Sequence, residues 1–114
     1  MDISLWISRA ERYCSAAERC PQQVREHLRQ WGAEPRETEN VIEALKANRF
    51  LDEERFCRAF THDKVAYQSW GRMKIRAALM AYRLPSAVIE VALDDIDEMD
   101  IAVGHEAEAA SGEM

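Results

Sequence analysis

Between Lys64 and Ile89 the chain carries five basic side chains, Lys64, Arg72, Lys74, Arg76 and Arg83, and no Asp or Glu. Cations without neighbouring carboxylates can meet a phosphate backbone or a carboxylate-bearing protein surface. The window stands out because the whole chain has a formal net charge of −6. Other chemistry has less support. Cys14, Cys20 and Cys57 form no CxxC pair, and His27, His62 and His105 share no ligand spacing, so neither a metal nor a cofactor is expected. No Ser-His-Asp set or phosphate-binding glycine loop is present, and no enzyme is expected. The acidic run Asp52-Glu53-Glu54 suits a helix start, where free amides and the positive dipole end favour carboxylates.

The elements that must position these cations are helices. Apolar residues recur at helical spacing in six stretches: Ala10, Tyr13, Cys14 and Ala17; Val24, Leu28 and Trp31; Val41, Ala44 and Leu45; Phe56, Ala59 and Phe60; Ile75, Leu79 and Tyr82; Ile89, Ala92, Leu93 and Ile96. Nothing alternates like a strand, so the fold class is all-α. Pro21, Pro35 and Pro85 fall where helices should begin, and Gly32 and Gly71 fall between them. Cys14 and Cys57 each follow an aromatic on a core stripe, which makes them small buried hydrophobes.

The two halves repeat. Arg12-Tyr13-Cys14 returns as Arg55-Phe56-Cys57, and Val24-Arg25-x-x-Leu28-x-x-Trp31 returns as Ile75-Arg76-x-x-Leu79-x-x-Tyr82. Val41, Ala44 and Leu45 are aligned with Ile89, Ala92 and Leu93. The expected architecture is therefore two tandem three-helix repeats, residues 1–50 and 51–100, followed by an acidic tail, 101–114. Residues 90–114 hold nine acids and no base, which leaves 12 acids against 15 bases, a net +3, over residues 1–89. Residues 104–114 lack large apolar side chains to offset ordering entropy, so a disordered tail is expected. No apolar run approaches the roughly 20 residues of a membrane span, and the N-terminus lacks a signal-peptide pattern. A soluble, cytoplasmic monomer is expected.

On a helical wheel with Ile75 at zero, Arg72, Arg83 and Arg76 fall at about 60°, 80° and 100°, on one flank of the core stripe. Arg25 and Arg29 occupy the matching flank in the first half. Exposed basic helices usually carry acids at i±4 to relieve repulsion, and these do not. The candidate partner- or DNA-binding set is Arg25, Arg29, Arg72, Lys74, Arg76 and Arg83; the competing reading is a solvated face. Met73, Ala77 and Met80 form a second apolar row, either packed against a neighbouring unit or open as a Met-rich contact surface. Trp31 and Trp70 either seal the core or stack on bases.

These residues resemble the RecX family. The resemblance runs from about Arg9 to Asp100, and its most specific parts are Phe50-Leu51-Asp52-Glu53-Glu54-Arg55-Phe56 and Trp70-Gly71-Arg72-x-Lys74-Ile75-Arg76-x-x-Leu79. The family-motif residues are thus Phe50, Leu51, Asp52, Arg55, Phe56, Trp70, Gly71, Ile75 and Leu79. The resemblance implies tandem three-helix repeats, usually three, no catalytic activity, and binding to the RecA recombinase and its nucleoprotein filament. It also implies modulation of ATP hydrolysis and strand exchange, most simply inhibition. After Asp100 no third repeat is recognisable. The alternative function is a nucleic-acid-binding helical module without a recombinase partner, using the same arginines; a helical adaptor working through the Met row is a third.

Overall fold

The computed structural model describes the backbone of residues 2–107 and the side chains of residues 2–96. Among the described residues there are six α-helices and no strand: α1 Ile3–Ala16, α2 Pro21–Trp31, α3 Pro35–Ala47, α4 Glu53–Gln68, α5 Arg72–Ala81 and α6 Ser86–Ala107. None is long and apolar enough to cross a membrane. Close helix pairing joins α1, α2 and α3 to one another, and α4, α5 and α6 likewise, so each three-helix unit closes its own core.

Local chemistry sets the helix ends. Pro21 and Pro35 open α2 and α3 at positions whose N–H has no intrahelical acceptor. The Gln23 side chain accepts from the Cys20 amide at 3.0 Å, and Glu37 accepts from the Glu34 amide at 2.9 Å. Asp52 accepts from the Arg55 amide at 3.0 Å, as its place before α4 requires. Pro85 lies just outside α6, where its carbonyl accepts from Val88 and Ile89.

The first core gathers Trp6, Ala10, Cys14, Val24, Leu28, Val41, Ile42 and Leu45; the second gathers Phe56, Cys57, Ile75, Leu79, Ile89, Ala92, Leu93 and Ile96. The two interlock at their junction. Leu51, beyond α3, is buried in the first core, while Cys20, between α1 and α2, is buried in the second. All three cysteines are free and buried. Burial pushes the Cys14 and Cys57 thiols up to about 11, so they behave as apolar filler.

Three details of the sequence reading are revised. Ala17 and Ala59 lie on the periodic stripes yet are exposed; Ala17 has already left the helix into extended backbone. The alignment of the third helices shifts by three residues. Val24 matches Ile75 across 51 positions, and the same step carries the start of α3 onto that of α6 and Thr38, Val41, Ile42 and Leu45 onto Ile89, Ala92, Leu93 and Ile96. A stripe spaced three and four nearly superposes on itself when slid by three, so periodicity alone does not fix the register. Finally, α6 runs past residue 100 to Ala107. Its Ala- and Glu-containing end has no proline to interrupt it. The tail expectation otherwise falls on residues 108–114, outside the described residues.

Candidate interaction surfaces

The two corresponding flank arginines, Arg25 and Arg76, each find a carboxylate on the next helix. Arg25 of α2 makes a two-pronged ion pair with Glu39 of α3, at 2.8 and 3.0 Å. Arg76 of α5 repeats it with Glu90 of α6, at 3.0 and 2.9 Å. Both partners lie 14 residues away, beyond the i±4 range in which the sequence reading sought them. The hydrogen bonds raise both guanidinium pKa values and hold Glu39 and Glu90 below the ordinary carboxylate value. Each of these two guanidinium groups thus already has an anion of its own. Arg72 is also engaged, donating from Nη1 to the Leu93 carbonyl at 3.0 Å.

Arg29, Lys74 and Arg83 remain exposed. Lys74 and Lys64 place their ammonium groups 4.4 and 4.9 Å from the Trp70 ring centroid. Arg83 departs from the wheel position expected for it. Helix α5 ends at Ala81, and Arg83 adopts a left-handed φ of 61°, matching the role of Gly32, whose φ is 104° after α2. The turn leads Arg83 back to the first unit, where it lines a groove of about 360 Å³ together with Arg25, Arg29, Gln22, Glu26 and Glu39. Three of the six candidate cations, from two units, thus meet at one groove. Arg72, Lys74 and Arg76 are not part of it.

The family-motif residues have structural work. Phe50 packs on the first core, Leu51 enters it, and Phe56, Ile75 and Leu79 build the second. Arg55 binds Glu18 at 2.6 Å and the carbonyls of Arg49 and Phe50 at 3.2 and 3.4 Å, tying the start of α4 to the end of α1 and the preceding loop. Trp70 meets Phe60 edge-on at 6.1 Å, and Gly71 caps α5 in extended backbone. The second apolar row is open: Met73 is 82% and Met80 60% exposed, and Ala77 is exposed beside them.

A second basic surface escaped the sequence reading. On the opposite flank of α2, His27 and Trp31 meet Arg9, Arg12 and Tyr13 of α1 around an open groove of about 570 Å³. Each pair, Arg9 and Tyr13 or His27 and Trp31, is spaced i, i+4, so each helix alone signals an aromatic–basic face. That the two faces meet depends on how α1 and α2 cross.

Residues 7–45 match the first three-helix domain of RecX and residues 52–93 match the second. Over 75 residues the chain is 35% identical to the regulatory protein RecX of Geobacillus thermodenitrificans (strain NG80-2), an alignment covering 66% of this chain and 28% of that protein. No solved structure matches. The two matched domains follow the two three-helix units and together span well over half of the sequence, and the chain belongs to the RecX family.

Proposed function

We propose that this chain is a non-catalytic regulator that binds the RecA recombinase and its nucleoprotein filament in the cytoplasm and damps ATP hydrolysis and strand exchange. Family membership supports the partner. The observation that supports the surface is the convergence of Arg29 and Arg83, from different units, on the groove beside the Arg25–Glu39 pair. A filament offers repeated phosphates and protein carboxylates, and exposed arginines contributed by both three-helix units can meet such a lattice in more than one place. Arg25, held in place by Glu39, fixes the wall against which the two exposed cations work.

The experiment compares binding to RecA alone, to single-stranded DNA alone and to the assembled filament, with ATP hydrolysis as a second readout. The parent chain should prefer the filament or RecA over DNA and slow hydrolysis. Arg29→Glu with Arg83→Glu should weaken filament binding at least about tenfold, as reversal of close charges in an interface does, with unchanged circular dichroism. No preference for RecA or the filament in the parent overturns the proposed partner. Equal binding by the double variant removes this groove from the mechanism.

A further inference from the structure

We propose that the α1–α2 face carries a separate binding site for single-stranded nucleic acid, the groove lined by Arg9, Arg12, Tyr13, His27 and Trp31. The lining contains neither a carboxylate nor an aliphatic side chain. Its rings form one assembly: Tyr13 and His27 stack at 4.0 Å, and Trp31 stands edge-on to them at 6.4 and 5.5 Å. Cations lie on the rings, Arg9 at 4.4 Å from the Trp31 centroid and Arg19 at 4.0 Å from that of Tyr13. Among the described residues neither Arg9 nor Arg12 has a carboxylate partner, whereas Arg25, Arg55, Arg58 and Arg76 all do.

This composition selects the ligand. An amphipathic protein helix would bring aliphatic side chains, and the groove has no aliphatic wall to receive them. Tyr13 and Trp31 also pack on the first core and the three rings stay partly exposed, so an acidic peptide would satisfy the arginines but make no use of the ring surface that is left. Single-stranded nucleic acid supplies both halves, phosphates for the guanidinium groups and flat bases for the rings and the ring-stacked Arg9. A duplex keeps its base faces inside the stack and offers only phosphate. The lining has none of the Asn, Gln, Asp or Glu side chains that read adenine or cytosine edges, and its arginines are assigned to phosphate and to the Trp31 ring, so little sequence preference is expected. The site lies across α2 from the Arg25–Arg29 flank and does not depend on the recombinase.

The test measures anisotropy of a fluorescein-labelled oligothymidylate titrated with the full chain across a range of salt, without recombinase. Arg9→Ala with Arg12→Ala should weaken binding at least about tenfold and lower the slope of log affinity against log salt by about 1.4, at roughly 0.7 per single-strand phosphate. Arg9→Lys with Arg12→Lys keeps the charge and should retain most of that slope, which separates loss of contact from loss of fold. An abasic chain of equal length should bind about tenfold more weakly, because base–aromatic stacking is absent. Undiminished binding by the alanine variant, or equal binding of the abasic chain or of polyglutamate, overturns the proposal.

Discussion

Arg55 Nε and Glu18 Oε2 lie 2.6 Å apart and join the two three-helix units, since Glu18 follows α1 and Arg55 sits in the first turn of α4. The same guanidinium donates to the carbonyls of Arg49 and Phe50, so one side chain fastens the second unit both to the loop that leads into it and to the far end of the first. The other Glu18 oxygen, Oε1, is buried without a hydrogen-bond partner among the described residues. Removing Arg55 would therefore leave a half-buried carboxylate with nothing to neutralise it. A double-mutant cycle on Arg55→Ala and Glu18→Ala should give a coupling of about 1 kcal/mol, as expected for groups in one hydrogen-bonded pair. Urea denaturation measures it, and additive effects would show that the pair contributes nothing to the junction.

The two repeated ion pairs set an acid sensitivity. Hydrogen bonds from Arg25 and Arg76 hold the Glu39 and Glu90 carboxyls below the ordinary glutamate pKa. A depressed folded pKa contributes stability that is present above the unfolded value and lost as pH falls through the folded one. Stability should thus decline below about pH 4.5. Glu39→Gln with Glu90→Gln should lower stability at neutral pH and flatten that decline, as read from urea midpoints at neutral and acidic pH. Parallel pH profiles for parent and variant would contradict the assignment.

The turns after α2 and α5 share a left-handed residue but fill it differently, with Gly32 in one and Arg83 in the other. A Cβ at Gly32 would meet nothing within 4 Å, so the cost of Gly32→Ala is conformational, about 1 to 2 kcal/mol. Arg83→Gly should do the opposite and stabilise by about 0.5 to 1 kcal/mol, the strain relieved being partly offset by the entropy of an unfolded glycine. Thermal melts of both variants decide this. Destabilisation by Arg83→Gly would mean that the Arg83 side chain contributes more through its groove contacts than the turn costs.

Leu79 and Met80 are neighbours on α5 with opposite surroundings, Leu79 fully buried and Met80 60% exposed. Leu79→Ala should cost about 2 to 5 kcal/mol through lost burial and a residual cavity. Met80→Ser should change stability by less than about 0.5 kcal/mol. Similar losses at both sites in urea melts would place the helix face wrongly.

Sequence alone determined what depends on short range. The helical period of the apolar residues places Val24, Leu28, Ile75 and Leu79 inside, the prolines mark helix starts, and Asp52 marks the start of α4, because a side chain three or four residues along shares its face and a cap acts within one turn. The burial of Cys14 and Cys57 follows from the same period. Only the tertiary structure decided which helices share their side chains. Glu39 and Glu90 reach Arg25 and Arg76 across a helix pair; the left-handed turn sends Arg83 to the first unit; and Arg9 settles over Trp31 where α1 crosses α2. Each of these depends on the rotation and register of one packed helix against another. An amphipathic stripe constrains that register only weakly, because sliding it by three or four residues presents nearly the same face, and the specific packing of the side chains selects one register.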